Sequence, residues 1–242
     1  SGKLAFTIAE HYEDYPTAKH FTWDKNHDAA ILDYASYGLD AEENGSAGFA
    51  ISPVTVYQED IYMGYRYFDT FGIKPLFSFG HGLSYTTFQC RTVNAVHDKA
   101  GITLTSVVQN TGSRAGKEVV AVYASAQTDD KWPAKKLVGF EKTRILAPQE
   151  SDTVTVYIPW KELASYRENA AAYILGQGEY MLYAGNYSDQ LQETVHIRIP
   201  ENIVIKQCAN RLSIRACNRD KLEFLTAPER EPVLWSAPWE IT

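Results

Sequence analysis

The chain has 242 residues, of which 45% are hydrophobic and 13% aromatic, values typical of a folded protein of one large or two small domains. Its formal net charge of −7 argues against nucleic acid as a partner, because binding to phosphates needs a basic face. No apolar run approaches the roughly 20 residues that cross a bilayer, so we expect no membrane partner.

The three cysteines are Cys90, Cys208 and Cys217, an odd number that does not make a disulfide framework. Their spacing does not match the CxxC pattern of redox or zinc sites. The beginning of the chain at Ser1 also lacks the charged and apolar segments of a signal peptide. We therefore expect reduced thiols and a cytoplasmic rather than a secreted protein.

Residues 1–88 are irregular in pattern. A short strand is predicted from Lys3 to Ile8, and the chain begins inside it, which suggests a truncated or processed start. The polar and aromatic stretch from His11 to Asn44 follows, and then a dense aromatic run from Val54 to Phe88. Too few strands are predicted to close a core, and no window has sustained helical periodicity. We interpret this segment as the end of a domain whose body lies elsewhere.

Residues 89–200 have the pattern of an antiparallel β-sandwich. Ile102–Thr105 alternates apolar and polar side chains, and Asn110–Gly112 supplies a turn. About seven short strands separated by turn residues predict this fold, with one short helical turn within Pro159–Arg167. The further strand segments are Val119–Tyr123, Leu137–Phe140, Val154–Ile158, Tyr180–Ala184 and Val195–Ile199.

Residues 201–242 form a third segment, an extended tail or interdomain linker. A strand is predicted at Ile203–Lys206, followed by a polar stretch and an end rich in proline and tryptophan. Proline prevents a continuous helix there. Trp235 and Trp239 would be poorly hydrated if exposed, so we expect them to pack on a neighbouring surface.

A search for catalytic and metal-binding groups is negative. Acidic residues are plentiful, but their spacing pairs no two of them across a cleft, as glycosidase chemistry requires. The histidines lack zinc-site spacing, and Gly80–Leu83 lacks the GxGxxG phosphate-loop pattern, so we expect no metal and no cofactor. A weaker hypothesis is a small metal-dependent enzyme that uses Asp24, His27 and Asp28.

Two places remain as candidates for a cleft or a domain seam. In the aromatic run, Arg66 follows Tyr65 and could bind a carboxylate, either Asp69 or Glu59. The rings could form a sugar platform, but the length and continuity of the run favour a buried seam pinned by one Arg–carboxylate pair. Trp132, in the loop between two predicted strands, is expected to be exposed and either to stack on a sugar or to contact another domain.

These motifs resemble family 3 glycoside hydrolases, chiefly β-glucosidases and β-xylosidases, over about residues 1 to 200. The first group resembles the end of the family's α/β sandwich domain: Gly2–Leu4, Glu59–Asp69 and Pro75–Phe88. The second group resembles its fibronectin type III-like domain: Val108–Gly112, Arg114–Val120, Leu137–Phe140, Gly178–Tyr180 and Gly185–Asn186.

The resemblance implies a mainly β fold, in which a fibronectin type III-like, immunoglobulin-like sandwich follows the terminal portion of an α/β sandwich domain. It also implies that the aspartate nucleophile and the acid/base glutamate lie outside this chain, which has no catalytic residue and is inactive alone. The expected partners are the missing catalytic barrel and the rest of the α/β sandwich domain, with a β-glycoside substrate only in the whole enzyme. The alternative is a free-standing carbohydrate-binding or cell-surface module.

Overall fold

The computed structural model describes residues 2–19, 58–209, 224–229 and 239–241. The described part contains two 3-10 helices (Tyr12–Asp14 and Pro16–Lys19), two short α-helices and eleven strands. The helices are α1 (Tyr65–Phe71) and α2 (Trp160–Leu163). The strands are β1 (Phe88–His97), β2 (Gly101–Asn110), β3 (Val119–Thr128), β4 (Lys136–Lys142), β5 (Ser151–Pro159), β6 (Ser165–Arg167), β7 (Ala172–Leu175), β8 (Gly178–Tyr187), β9 (Gln190–Ile199), β10 (Ile203–Gln207) and β11 (Trp239–Ile241).

Two sheets form the sandwich. One has the order β1-β2-β5 and the other the order β11-β9-β8-β3-β4, and a small third sheet has the order β10-β7-β6. All pairs are antiparallel except β11, which lies parallel to β9. The mainly β, antiparallel sandwich that the sequence predicts is therefore confirmed.

The core lies between the two main sheets. In β2 and β5 buried and more exposed side chains alternate, so that Leu104 and its partner Val156 both point inward. This alternation follows from the pleat, which directs successive side chains to opposite faces. The inward side chains of both sheets make one apolar cluster, which includes Ile102, Leu104, Val108, Val120, Val122, Val154, Val156, Ile158, Leu182, Val195 and Ile197.

The predicted strands of residues 89–200 lie in β2, β3, β4, β5, β8 and β9, and the predicted helical turn is α2. The strand predicted at Ile203–Lys206 is β10. In the tail, β10 pairs with β7 and β11 pairs with β9, so two parts of it are attached to the sandwich. The predicted metal-enzyme cluster at Asp24, His27 and Asp28 lies outside the described residues, as do Trp235 and Cys217.

The strand predicted at Lys3–Ile8 is wrong. Ile8 forms a single antiparallel bridge with Phe77, and its amide donates to the Phe77 carbonyl at 2.9 Å. Leu4 bonds to two consecutive residues, because its amide donates to the His81 carbonyl and its carbonyl accepts from the Gly80 amide. Gly80 and His81 therefore both lie opposite Leu4, and this arrangement interrupts a regular ladder, as in a β-bulge.

Helix α1 was not predicted from the sequence. It begins after Gly64, whose φ is +56°, and ends at Gly72, which adopts the left-handed conformation with φ of +67°. Glycine takes these values without a steric penalty, so the two glycines set the limits of the helix. Phe68 and Thr70 form its buried side. None of the described helices is long and apolar enough to cross a membrane.

Asn110, at the end of β2, cross-links three segments of the sandwich. Its buried amide donates to the carbonyls of Arg114 at 2.7 Å and Leu146 at 2.9 Å. Its Oδ1 accepts from the Thr86 hydroxyl at 2.6 Å and from the Gly112 amide at 3.1 Å. We predict that Asn110→Ala lowers the free energy of unfolding by about 2–4 kcal/mol, because buried polar groups lose their partners.

Urea unfolding of the chain measures this effect. Gln109→Ala is the matched control, because Gln109 is the neighbouring amide and makes one exposed hydrogen bond, at 3.3 Å, to the Gln149 carbonyl. Gln109→Ala should lower the free energy of unfolding by less than about 1 kcal/mol. Equal effects of the two substitutions would contradict the role of Asn110.

Candidate functional site

Tyr65 is central to the seam, by which we mean the contact between the first segment (residues 2–19 and 58–88) and the β-sandwich. Its ring lies 4.9 Å from that of Phe79 and meets the ring of Tyr123 on β3 edge-on at 5.8 Å. Its hydroxyl accepts a hydrogen bond of 2.7 Å from the Leu137 amide on β4. Tyr65 therefore contributes both apolar packing and a polar anchor, as buried tyrosines usually do.

Polar pairs cross the seam at several points. The Lys3 ammonium lies 2.9 Å from the Glu118 carboxylate and donates to the Asn186 carbonyl at 3.1 Å. The Ser78 hydroxyl donates to the Asp189 carboxylate. Two backbone contacts add to them: the Ala134 amide donates to the Thr70 hydroxyl at 2.8 Å, and the Ser188 amide donates to the Phe79 carbonyl at 3.2 Å. The first segment is thus joined to the sandwich along its length.

The predicted ion pair of Arg66 with Asp69 or Glu59 is wrong. The carboxylate of Asp69 instead lies 3.4 Å from the ammonium of Lys135, in the loop between β3 and β4. Burial, reinforced by the charge of Arg66, lowers the pKa of Lys136. The sandwich supplies lysines to the seam from a distant part of the sequence, so local spacing around Arg66 could not identify the pairing.

Asp69 is the most perturbed carboxyl group of the seam. Burial raises its pKa to about 6, the Asp189 charge adds to the rise, and Lys135 opposes it. The 3.4 Å distance makes an ion pair, yet Oδ2 of Asp69 receives no hydrogen bond of good geometry. The Lys135 ammonium donates instead to the Ser188 carbonyl at 2.7 Å. Lys135 thus offsets only part of the cost of burying the Asp69 charge.

Trp132 is buried, which corrects the expectation of an exposed ring. Its side chain is 6% exposed and belongs to the apolar core. The ring meets that of Tyr180 edge-on at 5.7 Å, and the Lys136 ammonium lies 5.2 Å from its centre. The loop after β3 folds the ring back over β8, so Trp132 offers no open face on which a sugar could stack.

The site residues that the sequence analysis named thus fall into different roles. Tyr65 and Asp69 contact the sandwich directly, Arg66 is half-buried beside Lys136, and Trp132 belongs to the core. The partners that complete the seam were not predicted from the sequence; they are Lys3, Ser78, Glu118, Lys135 and Asp189. Within the described residues no group of three or more histidine, cysteine or acidic side chains could hold a metal ion.

Comparison with known proteins first defines the class of the sandwich. Residues 118–188, which include β3 to β8, match the fibronectin type III-like domain family. The chain is 37% identical to a β-glucosidase of Ruminococcus albus over 88% of its own length and 20% of that protein. It is 34% identical to β-glucosidase A of Butyrivibrio fibrisolvens over 96% of its own length and 28% of that protein.

Solved structures agree with these relatives. A β-glucosidase from Paenibacillus barengoltzii is 33% identical, with a TM-score of 0.68 over 85% of this chain and 21% of that one. β-Glucosidase 3B from Thermotoga neapolitana, in complex with α-D-glucose, is 34% identical, with a TM-score of 0.66 over 85% of this chain and 25% of that one. The resemblance to the C-terminal part of family 3 glycoside hydrolases is confirmed, and the chain spans only 20–28% of the length of these relatives.

The raised pKa of Asp69 predicts a pH dependence of stability. The value of about 6 in the folded chain exceeds the ordinary 3.8, so folding favours the protonated group. This contribution to stability is fully present below about pH 3.8 and is lost as the pH rises through about 6. We predict that the free energy of unfolding, relative to that of Asp69→Asn, falls by about 2 kcal/mol between about pH 4.5 and 7.5.

Denaturant unfolding of both proteins across this pH range measures the difference, in which groups common to both cancel. Glu141→Gln is the control, because Glu141 is an exposed carboxylate of β4 that does not contribute to the pKa shift of Asp69. A difference between wild type and Asp69→Asn that does not vary with pH would contradict the assignment.

The burial of Trp132 predicts a large effect of Trp132→Ala on stability. Removing a buried tryptophan ring should lower the free energy of unfolding by about 3–5 kcal/mol, because a cavity replaces its contacts with Tyr180. Trp132→Phe, which keeps an aromatic ring, should cost clearly less. Urea unfolding checks both variants, and a negligible effect of Trp132→Ala would show that the ring is not part of the core.

Proposed function

We propose that the chain is a non-catalytic part of a family 3 β-glycosidase and that it braces the catalytic domains. The observation that carries this proposal is the concentration of exposed large apolar side chains in the first segment. Half of the large hydrophobic side chains found exposed come from residues 2–19 and 58–88, although these are only about a quarter of the described chain. We call these side chains the docking face: Phe6, Tyr12, Met63, Leu76, Phe77, Leu83 and Tyr85.

Exposure on the docking face is extreme at two positions, with Leu83 85% and Tyr85 94% exposed. Single exposed apolar residues are common on protein surfaces, but a concentration of them in one segment is typical of an interaction surface. The chain spans only 20–28% of the length of its relatives, so the remainder of such an enzyme is the partner that we propose for this face.

Glu59 supports the same proposal. Its side chain is 7% exposed, and its Oε2 atom has no hydrogen-bond partner in the described part of the chain. A buried carboxylate oxygen without a donor is costly. We propose that the missing part of the enzyme supplies a donor to Glu59 when it docks.

The chemistry in this proposal belongs to the whole enzyme. The named relatives are β-glucosidases, so we propose terminal β-D-glucosides or related β-glycosides as substrates and a retaining mechanism. That mechanism needs two carboxylates about 5 Å apart on either side of the scissile bond. We propose that both lie on the part of the enzyme outside this chain, as the resemblance implies. We also propose a cytoplasmic rather than a secreted location, on the odd number of cysteines.

A mixing experiment tests the proposal. The purified chain alone should not hydrolyse a chromogenic β-glucoside or β-xyloside, and a separately produced fragment with the barrel and the rest of the α/β sandwich should be weakly active at most. Mixing the two should produce activity that saturates with the concentration of this chain. Turnover by the chain alone would overturn the proposal, as would a mixture no more active than its parts.

Substitutions in the docking face sharpen the test. We predict that Leu83→Ser weakens association in the mixture about tenfold or more, because an apolar side chain would leave its partner surface. Phe140→Ser is the matched control, since Phe140 is an exposed aromatic residue on β4, outside the docking face. Titration of activity against the concentration of each variant gives the apparent dissociation constants. Equal weakening by both variants would argue against a specific docking face.

A further inference from the structure

A cavity of about 710 Å³ opens where four parts of the chain meet. The end of β3 and the loop that follows it form one wall, and the turn before β8 forms another. Tyr62 of the first segment and a piece of the tail close the remaining sides. The lining includes Tyr62, Gln127, Asp129, Asp130, Trp132 and Gln177. The volume is within the range of ordinary small-molecule sites.

Two ion pairs involve residues of the cavity lining, and the carboxylate of Asp129 is in neither of them. Arg167 binds Asp130 through two hydrogen bonds, from Nε to Oδ1 at 2.7 Å and from Nη2 to Oδ2 at 3.1 Å. Lys131 lies 3.2 Å from Asp60. Asp129 is exposed and makes no ion pair with any described residue. The Asp129 carboxylate is therefore available to accept hydrogen bonds from a ligand.

In the wall of the cavity near β8, atoms of neighbouring residues lie very close to two glycines. A Cβ on Gly176 would lie 2.9 Å from Oδ2 of Asp130, and one on Gly178, whose φ is +142°, would lie 2.2 Å from the Gln127 carbonyl oxygen. The side-chain oxygen of Asn202 accepts a hydrogen bond from the backbone amide of Gln177 at 2.9 Å and another from the Arg167 guanidinium at 3.2 Å. The cavity is thus largely preformed, which lowers the entropy cost of binding.

The composition of the walls selects the class of ligand. An anion is disfavoured by the Asp129 carboxylate, and the described residues offer no cluster of three metal-binding side chains. Ala126, Ala227 and Pro228 add apolar surface to the lining, so a ligand with both polar and apolar groups fits better than a purely apolar one. Carboxylate and amide groups together accept and donate hydrogen bonds, which is the pattern that neutral hydroxyl groups need.

We propose that this cavity binds a neutral sugar. The ligand would place hydroxyl groups against the carboxylate of Asp129 and the side-chain amides of Gln127 and Gln177. The choice of a sugar among neutral polyhydroxyl compounds rests on the proposed function, since the relatives act as β-glucosidases by name. A glycoside bound in this cavity would stay close to the rest of the enzyme.

Calorimetric titration of the complete 242-residue chain with cellobiose tests the inference. We expect saturable binding with a dissociation constant of about 1–10 mM. Asp129→Ala and Gln177→Ala should each weaken binding about tenfold, because each removes hydrogen bonds to the ligand. Glu141→Ala is the matched control, since it removes an exposed carboxylate of β4 that does not line the cavity. It should leave the affinity unchanged.

Thermal unfolding of each variant establishes that the fold is retained, as expected for substitutions of exposed residues. No saturable binding by the wild-type chain up to about 100 mM cellobiose would overturn the inference. So would affinities of Asp129→Ala and Gln177→Ala equal to that of the control. The mixing experiment measures activity without reference to this cavity, so its failure and the failure of sugar binding are separate results. Sugar binding without complementation would favour the alternative of a free-standing carbohydrate-binding module.

Discussion

The contact between Tyr65 and the sandwich is the interaction on which the position of the first segment depends. The described residues 2–19 and 58–88 contain two 3-10 helices, one short α-helix and a single bridge, which is little regular structure. Tyr65 places this helix against β3 and β4 by ring packing on Tyr123 and by accepting the Leu137 amide hydrogen. Asp69, one turn further along, consequently faces Lys135. The sandwich thus positions a segment whose described part has only a small aromatic cluster of its own, around the buried Phe68 and Tyr62.

The charges of the seam contribute differently from the rings. Lys131 and Asp60 are largely exposed, and such pairs add between zero and about 1 kcal/mol. Lys3 and Glu118 are more buried, where the cost of removing water offsets most of the attraction. Aromatic packing therefore supplies most of the stability of the seam. The ion pairs disfavour other relative positions of the first segment and the sandwich, because such positions would leave a buried charge without its partner.

The sequence predicted the sandwich because each strand with one buried face alternates in polarity, as β2 and β5 do. It did not predict α1, since seven residues are too few to show helical periodicity; Gly64 and Gly72 were the available indication. Trp132 was expected to be exposed because it lies in a loop between two predicted strands. Its burial depends on Tyr180, nearly fifty residues away in the chain, and the pairing of Asp69 with Lys135 depends on a similar long-range contact.

The proposed bracing role requires the seam and the docking face to act together. A segment with exposed side chains such as Leu83 and Tyr85 gains stability when a partner covers them, and Glu59 gains a donor. The same segment is fixed to a sandwich whose core is continuous across two sheets. A partner that binds the docking face therefore binds a surface already held in shape, so little conformational entropy is lost on association. In this arrangement the sandwich supports catalysis by holding the docking face rigid, without contributing a reacting group.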